Sequence, residues 1–298
     1  MGLGAKRVRT VMGCLDGDDR EVANFSRYRG KNRPRITAAP HAAAFLLAWA
    51  SLLAAGAAHA DDNPGYDRPG LGFTAVVLNA GDVTIEQGLP TWTRDNLGSG
   101  QIQSQTTTDS LVRLGLGGPF EAQLGTSPFN AIHTTGPGLD SWDHGRGDTI
   151  LALKFAPDKA DAKWTWGVLG SVEFTDGSRA VRNEHRQYLL GVDINRQITD
   201  NDGVGAYLEQ TASGSDGQST FALNESHVLN RSMVGYVELA QVHERGERSG
   251  TEAGSGLAWQ VNRRVQLDGG LRARVAGHAQ LWMVSLGVSV FLGRFTSP

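Results

Sequence analysis

The 298-residue chain carries 28 Lys/Arg and 31 Asp/Glu, a formal net charge of −3, and one cysteine. A single cysteine, Cys14, excludes an internal disulfide framework and a cysteine-ligated metal site. Beyond residue 60 there is no basic tract and no basic patch interleaved with aromatic residues, which argues against a nucleic-acid partner.

An export signal is predicted at the N-terminus. Basic residues between positions 27 and 35 precede the apolar run Ala42–Ala57, which closes with Ala58-His59-Ala60. A charged region, a short apolar region and an A-x-A site follow one another in secretory signals, and a transmembrane helix needs roughly 20 apolar residues. We therefore predict that residues 1–60 are a Sec-type signal peptide with an N-terminal extension. Since nine of the 28 basic residues lie there, against four of the 31 acidic ones, the mature chain is distinctly acidic.

Residues 281–292 show the clearest pattern of the mature chain. The residues at every second position are large and apolar: Trp282, Val284, Leu286, Val288, Val290 and Leu292. The residues between them are mostly small or polar. A period of two places the two sets on opposite faces of a β-strand. In a soluble sandwich the apolar face turns to a core, whereas in an outer-membrane barrel it turns to lipid.

Similar alternating runs recur along the rest of the mature chain, without a competing helical period. We predict twelve strands, at about 83–89, 105–116, 120–125, 148–156, 164–174, 187–195, 204–210, 220–229, 233–242, 252–261, 265–273 and 281–292. Residues 61–82 are rich in Gly and Pro and are predicted to be a lead-in or plug segment. Residues 83–298 are predicted to form the barrel.

The connections between these runs alternate in length. Every second one is often longer and polar, as at 90–104, 127–147, 175–185 and 243–250, whereas those after Gln210 and Ala273 are short. Short turns at one end and long loops at the other are typical of outer-membrane barrels with an even strand number, and a soluble sandwich gives no reason for this sorting. The predicted fold is therefore all-β, a single antiparallel transmembrane β-barrel of about 12 strands in the outer membrane.

An outward apolar face makes the charged residues of the opposite face candidates for lining the lumen. They comprise eight carboxylates and three bases: Glu86, Arg113, Glu121, Asp148, Lys154, Glu173, Asp193, Glu209, Glu238, Asp268 and Arg272. Such a lumen could discriminate solutes by charge and size. Alternatively, these charges pair with one another or with a plug segment.

Catalytic and metal signals are weak, and we predict no enzymatic activity, no metal and no cofactor. Ser226 and His227 are neighbours, so on a strand they point to opposite faces and cannot act as nucleophile and base. His243-Glu244 begins a zinc-protease-like string, but Glu247 occupies the position of the second histidine. The six histidines after residue 60 show no metal-ligand spacing.

Two short motifs carry a family resemblance. Asp67-Arg68-Pro69-Gly70 is followed by a run from Glu86 to Asp95 that contains Gly88-Leu89-Pro90 and ends in Arg-Asp. With the turn Ile198-Thr199-Asp200-Asn201, these motifs resemble the family named MetA-pathway of phenol degradation, transporter-like outer-membrane proteins. The resemblance implies an outer-membrane barrel that is sometimes linked to the uptake of aromatic or other hydrophobic compounds.

The leading functional hypothesis is an outer-membrane channel or transporter for passive uptake of small solutes. Its expected partners are outer-membrane lipid, the barrel-assembly machinery that reads C-terminal strands, and a solute of unknown identity. The alternative is a structural or adhesive barrel with a closed lumen, which binds partners through long loops such as 127–147.

Overall fold

A computed structural model describes residues 65–157, 162–246 and 249–294. The predicted signal peptide, residues 1–60, and the first residues of the lead-in segment lie outside the described residues. In the described part of the chain, no helix is long and apolar enough to cross a membrane.

All regular elements of the described chain are β-strands. They are β1 (Asp82–Gly98), β2 (Gln101–Gly117), β3 (Phe120–Gly136), β4 (Leu139–Gly145), β5 (Ile150–Phe155), β6 (Trp164–Glu173), β7 (Gln187–Gln197), β8 (Asp202–Ser213), β9 (Asp216–Asn230), β10 (Met233–Glu244), β11 (Gly250–Asn262), β12 (Val265–Gly277) and β13 (Trp282–Arg294). Consecutive strands from β5 to β13 pair antiparallel. Each pairs with its chain neighbour, and the longest connection among the described residues, between β6 and β7, spans residues 174–186.

The sheet closes on itself. Strand β13 pairs with β1, β1 with β2, β2 with β3, and β3 with β5. Among the described residues, β4 pairs with the second half of β3, residues 130–136. On the same edge of β3, β5 pairs with the first half, residues 120–125. Strands β4 and β5 thus act as one interrupted strand, and the ring contains twelve. The predicted fold class and strand number are confirmed.

Two predicted long loops are wrong. Residues 90–104 contain the second half of β1, the turn after it and the start of β2. Residues 127–147 contain the second half of β3 and all of β4. In both stretches the apolar residues are few and are separated by Pro, Gly and polar residues, so the sequence shows no sustained apolar alternation. Backbone pairing of β1 with β2, β2 with β3 and β3 with β4 forms these extended hairpins.

The Gly88-Leu89-Pro90 motif lies at an irregularity in β1. The register shifts between Gly88 and Thr91 against β13, and β2 shows a matching shift between Gln87 and Thr91. Proline inside a sheet is confined to edges and bulges because it lacks an N–H donor. A Cβ atom at Gly88 would lie 3.2 Å from the Asp109 backbone nitrogen and 3.6 Å from Arg68 Nη1. This bulge therefore brings the second motif against the first.

Large apolar side chains cover the outside of the barrel. On β7 and β8, Leu190 is 57% exposed and Leu208 is 55% exposed, while Leu286 on β13 is 47% exposed. Facing the other way on β13, Ser285 and Ser289 are buried. Val288 and Val290, on the apolar side of β13, are also buried. The outward direction predicted for the apolar face of the last strand thus holds for its first half.

Leu208→Arg tests whether this surface faces lipid. We expect the substitution to lower the free energy of unfolding in phospholipid vesicles by about 2–4 kcal/mol, the cost of an Arg at the bilayer midplane. Gln210→Arg, on the same strand and face but nearer the end of the apolar belt, is the matched control with a smaller loss. A water-exposed Leu208 would tolerate Arg within about 0.5 kcal/mol, and that result would contradict the barrel orientation.

Candidate functional site

Residues 65–81, which we call the inner segment, run across the inside of the barrel. The Leu71 N–H donates to Glu238 Oε2 of β10 at 2.9 Å, and the Leu78 N–H donates to Glu121 Oε2 of β3 at 3.0 Å. The Gly81 N–H donates to the Gly115 carbonyl of β2 at 2.9 Å. The inner segment therefore reaches strands on opposite parts of the ring.

Arg113 is the centre of a buried charge cluster on β1, β2, β3 and β5. Its Nη1 lies 2.8 Å from Glu86 Oε1, and its Nε lies 2.8 Å from Glu121 Oε1. Lys154 Nζ lies 2.7 Å from Asp67 Oδ1 and 3.2 Å from Glu121 Oε1. All five side chains are fully buried. Since an unpaired buried charge is costly, each of these ions depends on its partners.

Asp67, which opens the first family motif, joins the inner segment to this cluster. Its Oδ1 accepts from Lys154, and its Oδ2 accepts from Gln123 Nε2 at 2.8 Å. The Asp67 and Arg68 N–H groups both donate to the Glu86 carboxylate at 3.0 Å. The motif is thus held through its backbone and its side chains together.

Arg68 anchors the same motif to the opposite side. Its Nη2 lies 3.0 Å from Asp268 Oδ1 on β12 and donates to the Leu286 carbonyl on β13 at 3.2 Å. The Tyr66 hydroxyl donates to the Arg264 carbonyl at 2.6 Å. Adjacent motif residues therefore bridge β5 and β12.

A second charge group lies on β10, β11 and β12. Arg272 Nε lies 3.0 Å from Glu238 Oε1, and Arg272 Nη1 lies 3.7 Å from Glu252 Oε2. Glu238 also accepts from the Leu71 backbone. The inner segment thus contacts this group as well.

An apolar patch covers another part of the inner wall. Phe73 of the inner segment packs with Leu169, Tyr207, Ala222 and Ala240 from β6, β8, β9 and β10. The Phe73 and Tyr207 rings meet edge-to-face, with their centroids 6.1 Å apart. The inner wall therefore has a charged sector and an apolar sector, and the inner segment contacts both.

The predicted lumen-lining residues separate into groups. Glu86, Arg113, Glu121 and Lys154 come together in the buried cluster, Asp268 pairs with Arg68, and Glu238 pairs with Arg272. Asp193 accepts from Asn195 Nδ2, and Glu209 accepts from the Tyr207 hydroxyl. Glu173 is buried at the end of β6. Most of these charges are thus engaged by protein groups.

Asp148 has a different place. Its carboxylate accepts from the Gly177 N–H at 2.8 Å and from the Asn183 N–H at 2.7 Å, and so it holds the connection between β6 and β7. Nearby, hydrogen bonds from the Thr149 backbone and side chain lower the pKa of the Asp176 carboxyl to about 2. These contacts fasten that connection over the break between β4 and β5.

Three charged residues that contact the interior are absent from the predicted lumen set: Asp67, Arg68 and Glu252. Asp67 and Arg68 lie outside any strand, where alternation gives no direction. Glu252 stands on the same strand face as other interior residues, so extending the alternation along β11 identifies it.

Pairing of β8 with β9 brings three possible ligand groups together. The side chains of Asp202, Glu225 and His227 have ligand atoms within 4.8 Å of one another. The His227 Nδ1 lies 2.6 Å from Asp202 Oδ1, and both side chains are partly exposed. The His227–Asp202 hydrogen bond explains why these two side chains lie together, and Glu225 lies beside them. The spacing of the three residues in the sequence did not indicate that they would meet.

The chain is similar in structure to several solved proteins. The COG4313 outer membrane channel from Pseudomonas putida F1 superposes with a TM-score of 0.61 at 12% identity, covering 76% of this chain and 99% of that chain. The likeness shows the fold. The KdgM porin in complex with disordered oligogalacturonate gives a TM-score of 0.48 at 11% identity, covering 70% of this chain and 98% of its own. The β domain of the Bordetella autotransporter BrkA gives a TM-score of 0.48 at 13% identity, covering 72% of this chain and 100% of its own.

No protein-family model matches the sequence, and no curated protein matches it. The closed sheet and its likeness to the COG4313 outer membrane channel show the barrel fold, whereas the resemblance to the MetA-pathway family stays a prediction.

Proposed function

We propose that the protein is an outer-membrane channel for passive uptake of small solutes, including aromatic or hydrophobic ones. The observation that carries this proposal is the inner segment. It crosses a closed barrel and is held there by side chains of the wall rather than by strand pairing. A segment held in this way can restrict a pore without being part of its wall.

The remaining predictions about cellular context belong to the same proposal. Export by a Sec-type signal peptide and insertion by the barrel-assembly machinery would deliver the chain to the outer membrane. The apolar outer surface, exemplified by Leu190 and Leu208, suits a lipid environment. The charged wall residues that contact the inner segment, such as Lys154, Glu238 and Asp268, are the ones proposed to line the lumen.

Planar-bilayer recording tests this function directly. The protein, purified in detergent, is first shown to be folded by its heat-modifiable gel mobility and is then added to one side of the bilayer. We expect discrete current steps whose size depends on the solute ions. A folded barrel that inserts into vesicles but produces no steps would contradict the channel function.

A further inference from the structure

The inner segment presents two chemical groups to the barrel wall, a carboxylate and a benzene ring. Asp67 supplies the carboxylate, and Phe73 supplies the ring six residues later. Lys154 joins them, because its Nζ lies 2.7 Å from Asp67 Oδ1 and 5.6 Å from the centroid of the Phe73 ring. Both groups therefore lie around one cation, and a small molecule that carries a carboxylate and a ring could replace them there.

The receptor for the carboxylate belongs to the barrel wall. Lys154 Nζ and Gln123 Nε2 donate to the two oxygens of Asp67, and Arg113 Nη1 lies 3.6 Å away. Charged donors bind carboxylates through short and strong hydrogen bonds. If Asp67 were absent, Lys154 would keep Glu121, at 3.2 Å, as its one ion-pair partner among residues 65–157, 162–246 and 249–294. An anion in the position of Asp67 would restore the lost pairing.

The receptor for the ring also belongs to the wall. A Cβ atom at Gly167 would lie 3.2 Å from Phe73 Cε2, and one at Gly191 would lie 3.4 Å from Phe73 Cε1. These glycines leave a flat slot on β6 and β7, and Leu169 and Tyr207 border it. The slot takes a planar ring because any side chain at the two glycines would crowd the ring edge.

We propose that this wall site binds aromatic monocarboxylates, and that Asp67 and Phe73 occupy it as an internal substitute for such a ligand. This inference rests on the proposed channel function and specifies its solute class. A benzoate-like solute would place its carboxylate on Lys154 and Gln123 and its ring on the slot over Gly167 and Gly191. It would compete with the inner segment for the same groups.

The test uses Asp67→Ala combined with Phe73→Ala, which empties the site and leaves the wall intact. Isothermal titration calorimetry of the refolded full barrel in detergent compares benzoate with acetate and phenol, each of which carries one half of the ligand. We expect benzoate to bind the double variant at least about tenfold more tightly than acetate, phenol, or benzoate to the unaltered protein.

Lys154→Met in the same double-variant background should weaken benzoate binding about tenfold or more. Lys163→Met, a lysine outside the site, is the matched control and should leave binding unchanged. If the alanine double variant does not fold, as judged by heat-modifiable mobility, Phe73→Ala alone keeps the buried ion pairs and empties the ring slot, and it should bind phenol at least about tenfold more tightly than acetate. Equal binding of benzoate, acetate and phenol, or binding insensitive to Lys154→Met, would overturn the proposal.

The outcomes also separate this inference from the channel function. Current steps in the bilayer without preferential benzoate binding would leave the channel standing and remove the aromatic-carboxylate site. Preferential benzoate binding without current steps would uphold the site and contradict the channel.

Discussion

Arg113→Met is expected to lower the free energy of unfolding by about 3–5 kcal/mol, the cost of leaving buried charges without their partner. Arg113 is fully buried and pairs with Glu86 and Glu121 at 2.8 Å. Methionine has a similar length but no charge, so both carboxylates lose their strongest partner while the volume is nearly kept. Urea unfolding in phospholipid vesicles, followed by tryptophan fluorescence, measures the loss.

Two comparisons decide whether the loss comes from the ion pairs. Arg263→Met, at an exposed turn between β11 and β12, removes a charge without breaking a buried pair and should change stability by less than about 0.5 kcal/mol. Adding Glu86→Gln and Glu121→Gln to Arg113→Met should recover part of the loss, because the uncompensated charges disappear. A loss below about 1 kcal/mol for Arg113→Met, the range of solvent-exposed pairs, would show that water screens the cluster.

Asp67→Ala combined with Arg68→Ala is expected to raise the single-channel conductance severalfold. These two residues tie the inner segment to Lys154 and to Asp268, on opposite sides of the ring. If their buried pairs contribute about 3 kcal/mol of anchoring, the ratio of released to bound segment rises roughly 100-fold. A released segment leaves more of the cross-section open to ions.

Asn79→Ala is the matched control for this opening. Asn79 lies in the same segment and is exposed. The Asn79→Ala variant should therefore have the same single-channel conductance as the unaltered protein. If the Asp67→Ala, Arg68→Ala variant conducts no more than the Asn79→Ala variant, the inner segment does not restrict the pore. Heat-modifiable mobility of all three proteins confirms that folded barrels are being compared.

Much of the barrel could be predicted because strand geometry acts locally. Side chains alternate with a period of two, so Trp282, Val284 and Leu286 had to share a face whatever the rest of the chain did. The same rule placed Arg113, Glu121 and Lys154 on the opposite face. It did not reveal that β1 to β4 extend through residues 90–104 and 127–147, because these stretches show no sustained apolar alternation.

The candidate site could be predicted only in part. The interior charges on strands were identifiable one by one, but their grouping was not, since pairs such as Asp67 and Lys154 are 87 residues apart. Their meeting depends on the register of every pairing between β1 and β5, and a shift of one residue would turn each side chain to the other face. The positions of Asp67 and Phe73 had no local signal, because the inner segment is not a strand.

The sequence by itself determined that this chain forms a closed barrel of about twelve strands with its apolar face outward, since backbone groups in lipid must all be paired and the alternation is read along each strand alone. Only the tertiary structure decided that the Asp67-Arg68 motif crosses the interior and that Lys154 lies near both the Asp67 carboxylate and the Phe73 ring. Closure of the ring sets that arrangement, because it brings β5 and β12 to either side of the inner segment. No single stretch of sequence encodes the distance between these two strands.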